Sequence, residues 1–131
     1  MNNWHTWLGE AMQFERAGRG KDGAPSKLAP VIVYNLYAMA LEKYAMAILD
    51  YHNKMPDNHT FSDLIDGLEK VVGLDEQLRK RVLDLERQQQ ICAFDDNFQT
   101  AGVDLNVTME FDDVIREFGR FAREQCEMIN P

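Results

Sequence analysis

Residues 28–53 read LAPVIVYNLYAMALEKYAMAILDYHN and form the longest apolar run in the chain. The first fourteen of these residues carry no charge. Apolar side chains recur along the run at spacings of three and four on more than one face, which is the periodicity of an α-helix. A helix at the surface of a soluble protein would keep one side polar. The run therefore predicts the central helix of a bundle, one that is also able to face a partner subunit.

One stripe of this central helix alternates large and small side chains. The stripe consists of Tyr37, Ala40, Tyr44, Ala47 and Tyr51. Side chains spaced by three and four lie on one face of a helix, and the small alanines between the phenols let a second helix approach closely. We predict that the stripe lies in the core of the bundle or at the seam of a homodimer, and that it is not a ligand site.

Four further helices are expected from the same periodicity. They cover residues 3–17, residues 60–72, the segment from residue 75 to about residue 91, and the segment that follows Thr108. Ser26, Thr60 and Thr108 are the expected N-caps of the second, third and fifth helices, because a hydroxyl oxygen accepts a hydrogen bond from an orphan amide. Residues 18–27 and 95–107 are expected to be loops. The mostly short connections predict an all-α, up-and-down four-helix-type bundle with an additional short N-terminal helix.

Length and charge narrow the class of protein. A chain of 131 residues with 45% hydrophobic and 27% charged residues fits a single soluble domain over residues 1–131. Its formal charge is −8, from 14 Lys and Arg against 22 Asp and Glu. This charge repels a phosphate backbone at long range, so DNA binding is not expected, and RNA or nucleotide binding requires a local concentration of basic residues.

The sequence also predicts where the protein resides. The N-terminal MNNWHTW lacks the basic start and apolar middle of a secretory signal. Asn35, Glu42 and Lys43 interrupt the central apolar run, so no membrane span is expected. Cys92 and Cys126 are too few and too far apart in the sequence to indicate a disulfide framework. We therefore expect a cytoplasmic protein with two reduced thiols.

A Gly-x-Gly-x-x-Gly pattern occurs at residues 18–23, but it follows a helix and not the strand of a dinucleotide-binding fold. The favoured interpretation is an interhelical loop. Four cations surround the pattern: Arg16, Arg19, Lys21 and Lys27. Because mobile cations beside a helix N-terminus can hold an anion, Arg19 and Lys21 are candidate nucleotide- or RNA-binding residues.

No metal, cofactor or catalytic site is expected. The three histidines, His5, His52 and His59, lack the Glu three residues earlier that a di-iron bundle requires. Cys92 has no histidine near it in the sequence and is expected to be an inert thiol. The adjacent acids at 95–96 and 112–113 are expected to be solvated, the second pair in the first turn of the last helix, where the helix dipole favours acids.

Part of the central helix and the residues after it resemble the HEPN superfamily of small helical bundles. The resemblance lies in residues 36–53, LYAMALEKYAMAILDYHN, followed by Asn-His-Thr at 58–60 and Asp-Leu-Ile at 63–65. In that family an Ala-rich helix carrying Glu-Lys is followed by a short loop and then by a His before an apolar helix. Glu42, Lys43 and His59 match this pattern, and the resemblance covers about a quarter of the chain closely and about half loosely.

The resemblance implies a cytoplasmic homodimer. Many HEPN proteins are ribonucleases or toxin components, and others are noncatalytic RNA- or nucleotide-binding modules. Catalytic members pair an Arg with a His that follows after four to six residues. Arg87 stands where such an Arg is expected, but the three allowed His positions hold Cys92, Ala93 and Phe94, so the catalytic pair is missing. Arg87 is then a candidate phosphate contact, the alternative being an ion pair with Asp84 or with an acid in residues 95–107.

The leading hypothesis is a noncatalytic, HEPN-like homodimeric module that binds a partner protein or a nucleotide or RNA, with the acidic surface favouring a protein. One alternative is a divergent HEPN ribonuclease or toxin–antitoxin component that uses Arg87 with another polar residue. A further alternative is a structural homo-oligomer without a ligand.

Overall fold

Five α-helices and no strand occur in the part of the chain that the computed structural model describes, which is residues 3–20, 27–93 and 104–126, with the backbone alone for 88–93. The helices are α1 Trp4–Gly18, α2 Pro30–Tyr51, α3 Phe61–Val71, α4 Glu76–Ala93 and α5 Leu105–Cys126. Each helix packs against the next along the chain, and α5 returns to pack on α1 and α2. The predicted all-α bundle with a short N-terminal helix is confirmed.

The helix α2 lies at the centre of this bundle. It contacts α1, α3 and α5, and all seven residues from 44 to 50 are buried. Neighbouring helices therefore cover more than one face of α2, as its apolar periodicity predicts. None of the described helices is both long enough and apolar enough to span a membrane.

The start of α3 follows its predicted capping. Thr60 is the N-cap, and its hydroxyl oxygen accepts a hydrogen bond from the Asp63 backbone amide at 3.1 Å. The Thr60 hydroxyl also donates to the Asp63 carboxylate at 2.8 Å. Two groups three residues apart thus fix the first turn together.

The predicted starts of α2 and α5 are wrong. Ala29 is the N-cap of α2 and makes no side-chain capping bond, whereas Ser26 lies outside the described residues. Pro30 at the first helical position has no N–H, which reduces the need for a cap. The helix α5 begins at Leu105, and the Asp104 carboxylate accepts from the Val107 amide at 3.0 Å.

Thr108 accordingly lies inside α5, where its hydroxyl donates to the Leu105 carbonyl at 2.8 Å. Asp is as good an N-cap as Thr, and Asp104 takes the position one turn earlier. Residues 105–107 of the predicted loop are therefore helical, and the rest of that loop before residue 104 lies outside the described residues. Asp112 and Asp113 are consequently one turn deeper in α5 than their sequence interpretation placed them.

Candidate functional site

A chain of hydrogen-bonded charges joins α1 to α2 and α5. Glu15 of α1 is buried, and its two oxygens have different partners: Oε1 accepts from the Tyr44 hydroxyl at 2.6 Å, and Oε2 pairs with Arg19 Nη1 at 2.7 Å. Arg19 Nε in turn donates to Asp112 Oδ1 of α5 at 2.9 Å. Arg19 is the residue that follows the end of α1. From this position its guanidinium group contacts both Glu15 of α1 and Asp112 of α5.

Asp112 is the point where three donors meet. Its Oδ1 accepts from the Tyr37 hydroxyl at 2.8 Å as well as from Arg19, and its Oδ2 accepts from Arg116 Nε at 2.8 Å. The sequence interpretation of Asp112 as a solvated acid is therefore wrong. The acid is held between α2 and the end of α1, because the α5 register turns it toward those helices.

The hydrogen bonds in this network keep its charges in place. Burial by itself would raise the pKa of the Asp112 carboxyl, but the bonds from Arg116, Tyr37 and Arg19 outweigh burial and hold that pKa below its usual 3.8. Burial would likewise lower the pKa of Arg19, and the bonds to Glu15 and Asp112 outweigh it and raise that pKa. Arg19 and Asp112 are therefore both charged at neutral pH.

The two phenols are neutral donors. Burial raises the pKa of Tyr37 and Tyr44 well above the usual 10.0, and the hydrogen bonds to the carboxylates of Asp112 and Glu15 raise it further. A phenol in this state donates a hydrogen bond and does not act as a nucleophile at neutral pH. Both tyrosines thus bind and orient their carboxylate partners.

A cationic cavity of about 290 Å³, here named the arginine recess, lies on one side of this network. Its lining consists of Met12, Glu15, Arg16, Arg19, Tyr44 and Arg123. Three guanidinium groups thus face one carboxylate, which gives the lining a formal charge of +2 in a chain of −8. The recess is therefore a local concentration of positive charge. In a chain with an overall negative charge, such a concentration is required for binding a phosphate-bearing ligand.

Two of the three recess arginines have no carboxylate partner in the described part of the chain. Arg16 is exposed and forms no ion pair there. Arg123 is half-buried, and its Nη1 lies 3.5 Å from the Tyr44 hydroxyl oxygen, a long contact to a neutral group. Arg19 Nη2 is also buried without a hydrogen-bond partner among the described residues. Arg16 and Arg123 therefore retain guanidinium donors that the described residues do not use.

A second cavity, here named the apolar groove, lies between the start of α2 and the start of α5 and has a volume of about 630 Å³. Arg19 and Asp112 line it at one end. Exposed Leu28, Leu105 and Met109 supply much of its apolar surface. Arg19 is thus shared by the two cavities.

Of the candidate nucleotide- or RNA-binding residues, Arg19 and Arg87 are among the described residues, and Arg19 is the one of these two that lines a cavity. Arg19 lines both cavities, and Lys21 lies outside the described residues. Arg87 lines neither cavity, is 68% exposed, and pairs with Asp84 at 3.0 Å. Arg87 therefore has the local ion pair that was the alternative to a phosphate contact.

The stripe of alternating tyrosines and alanines on α2 packs against other helices of the same chain. Tyr37, Ala40, Tyr44 and Ala47 are buried by the neighbouring helices, and Tyr51 at the end of α2 is half-buried. Tyr37 packs edge-on against Phe111 of α5 with ring centroids 5.6 Å apart.

The residues that match the HEPN pattern form pairs at the outer side of α2. Glu42 Oε2 lies 2.9 Å from His59 Nδ1, which ties α2 to the loop before α3. Lys43 Nζ lies 3.3 Å from Glu10 and 4.7 Å from the centre of the Trp7 ring, which ties α2 to α1. All three matching residues thus make contacts that hold elements of the bundle together.

Sequence reasoning missed Arg123 and Glu15 as residues of the site. A signal for Arg123 is present in α5, where Arg116, Arg120 and Arg123 are spaced by four and three and share one face. No comparable signal exists for Glu15, since its role depends on a tyrosine of another helix. Among the described residues, no group of three or more His, Cys, Asp or Glu is arranged to hold a metal ion.

No protein family model, no curated protein and no solved structure matches this chain significantly.

The network at Asp112 predicts a pH-dependent loss of stability. Because the folded-state pKa of Asp112 is depressed, its contribution is fully present above about pH 4 and is lost as the pH falls through the lower folded-state value. Asp112→Asn is expected to reduce the free energy of unfolding by about 1–2 kcal/mol at neutral pH. The difference from the wild type narrows below about pH 4, as measured by urea unfolding across that range.

Asp113→Asn is the matched control, because this neighbouring acid is exposed and accepts no hydrogen bond within the described residues. It is expected to change the unfolding free energy by less than about 0.5 kcal/mol at either pH. A loss of equal size in both variants, or a loss at Asp112 that persists in acid, would contradict the role given to the Asp112 network.

Proposed function

We propose that this protein is a noncatalytic, HEPN-like binding module that holds a phosphate-bearing ligand, a nucleotide or an RNA, in the arginine recess. The observation that carries the proposal is the convergence of Arg16, Arg19 and Arg123 from two helices on one cavity of formal charge +2. A cytoplasmic homodimer, as the HEPN resemblance implies, is part of the proposal.

The chain has more acids than bases, and several of its arginines are paired with an acid. Arg79, Arg81 and Arg87 each have a carboxylate within 4.0 Å, as acids in excess allow. Arg16 and Arg123 have none among the described residues, although both lie within a cavity that Glu15 also lines. Two cations that line one cavity repel each other, and an anionic ligand bound between them offsets that repulsion.

Guanidinium groups suit a phosphate ligand. Each one presents planar donors that match two phosphate oxygens at once, and the resulting charge-assisted bonds are stronger than neutral ones. Local positive potential also raises the concentration of an anion near the recess even when the whole chain is negative.

The recess supports binding more than cleavage. Glu15 is the carboxylate that the described residues contribute to its lining, and the Tyr44 hydroxyl and Arg19 already occupy both of its oxygens. Tyr44 is a neutral phenol at neutral pH. Neither Glu15 nor Tyr44, the groups of the described lining that could take a proton, is therefore placed to act as a general base on a ligand hydroxyl.

The test is a titration of nucleotides and short RNAs against the wild type and the double variant Arg16→Ala/Arg123→Ala at low salt. Loss of two charge-assisted contacts is expected to weaken binding by at least about 100-fold. The affinity of the wild type is expected to fall as salt rises, because the contacts are ionic. Lys21→Ala, titrated alongside, tests the sequence-derived candidate beside the recess.

Lys70→Ala/Lys80→Ala is the matched control, because it removes the same two charges from exposed lysines of α3 and α4 that line neither cavity. The control is expected to bind like the wild type. Equal losses in the two double variants would mean that only net charge matters, and the site would be wrong. Absence of binding by any nucleotide or RNA would overturn the proposal and favour a partner protein, for which the apolar groove with Leu28, Leu105 and Met109 is the surface.

A further inference from the structure

We infer that the arginine recess recognises a terminal phosphomonoester and discriminates against the internal phosphodiesters of an RNA chain. This inference rests on the proposed function, since it specifies which phosphate the recess takes. It applies equally to the phosphate of a mononucleotide and to the phosphorylated end of an RNA.

Charge is the first reason. A phosphomonoester carries about −1.5 to −2 at neutral pH, because its second pKa is near 6. A phosphodiester in a nucleic-acid backbone carries one negative charge. Arg19 is compensated by Glu15 and Asp112, whereas Arg16 and Arg123 have no carboxylate partner among the described residues and together carry +2. A monoester neutralises this charge nearly completely, and a diester leaves part of it unneutralised.

The second reason is that both carboxylate oxygens of Glu15 already have partners within the protein. A free carboxylate in the recess would repel a doubly charged phosphate more strongly than a singly charged one. Here the Tyr44 hydroxyl and Arg19 Nη1 bind the two Glu15 oxygens at 2.6 and 2.7 Å. The Glu15 charge is therefore directed into the protein, and Arg16 and Arg123 are left to meet the ligand.

The size of the recess and its single cluster of cations form the third reason. Its volume of about 290 Å³ lies at the lower end of the range for small-molecule sites. Its lining comes from α1 with Arg19 beyond it, from Tyr44 of α2 and from Arg123 of α5. One small cluster of cations suits a single phosphate group, whereas a backbone that runs past requires a row of cations along a groove.

The experiment compares two short RNAs of one sequence, one with a 5′-phosphate and one with a 5′-hydroxyl, which share every internal phosphodiester. The phosphorylated RNA is expected to bind the wild type at least about tenfold more tightly. This preference is expected to vanish in Arg16→Ala/Arg123→Ala. In Arg16→Lys/Arg123→Lys, which keeps the charges and loses the paired donors, the preference is expected to persist at reduced affinity.

The outcomes separate this inference from the proposed function. Equal, arginine-dependent binding of both RNAs would overturn the monoester preference and leave the phosphate-binding function standing. Failure of both RNAs and of AMP to bind would overturn both. AMP is included to distinguish the two sources of a monoester: competition by AMP at the affinity of the phosphorylated RNA identifies the phosphate of a mononucleotide as sufficient, and weaker competition assigns the site to an RNA end.

Discussion

Tyr44→Ala is expected to lower the free energy of unfolding by about 3–5 kcal/mol, the range for removing a fully buried aromatic side chain. The Tyr44 side chain is 0% exposed, and its ring lies between α1 and α5 at the centre of the bundle. Truncation leaves a cavity and also removes the donor that satisfies Glu15 Oε1. Since single domains are stable by about 5–15 kcal/mol, a large part of the total is lost. Urea unfolding monitored by circular dichroism measures the change.

Tyr44→Phe separates the ring from the hydroxyl. The ring still fills the core, Glu15 keeps its ion pair with Arg19, and only the hydroxyl bond is lost. The expected cost is about 1–2 kcal/mol, the range for losing a hydrogen bond to a charged group. If the alanine variant proved no less stable than the phenylalanine variant, the burial of the Tyr44 ring between these helices would be wrong.

Gly119→Ala is expected to destabilise the protein by about 2 kcal/mol, although alanine is the better helix former by about 1 kcal/mol. A Cβ atom at position 119 would lie 2.9 Å from both Cζ and Oη of Tyr44 and 3.1 Å from its Cε2. The Tyr44 ring cannot retreat, because it is fully buried and its hydroxyl is bound to Glu15. Accommodation therefore requires α5 to move away from α2, and thermal and urea unfolding measure the cost.

Gly9→Ala is the matched control, because a Cβ at this position of α1 would meet nothing within 4 Å. It is expected to stabilise the protein by up to about 1 kcal/mol through helix propensity alone. In a Tyr44→Ala background, Gly119→Ala is expected to be neutral or stabilising, since the ring that it meets has gone. Stabilisation by Gly119→Ala in the wild-type background would refute the close approach of α5 to Tyr44.

The predictions for Tyr44 and Gly119 concern one contact between α2 and α5. At this contact the helices approach so closely that the α5 residue has no room for a side chain. The sequence pattern gave the α2 side of this contact, since Tyr44 lies in a stripe of alternating tyrosines and alanines. The α5 side was not evident, because Gly119 sits in a helix without any local sign that a partner is near. The same crossing brings Arg123, one turn further along α5, to the Tyr44 hydroxyl.

Sequence alone determined the features that depend on neighbouring residues. The spacing of apolar side chains identified α2 as the central helix, and Thr60 with Asp63 identified the start of α3. These signals are local because helix geometry relates residues three and four apart. The start of α5 was misjudged for a local reason as well, since Asp104 and Thr108 are both competent caps one turn apart and the periodicity before Thr108 is weak.

Only the tertiary structure decided which charges meet. Glu15 and Tyr44 come from different helices, as do Arg19 and Asp112, and no spacing in the sequence relates either pair. Their contacts depend on where the helices cross and on the rotation of each helix about its axis, which packing of the whole core sets. Because no local pattern reports these contacts, the sequence predicted Asp112 to be a solvated acid. In the packed bundle its carboxylate accepts hydrogen bonds from three side chains. The same packing gathered Arg16, Arg19 and Arg123 into one recess.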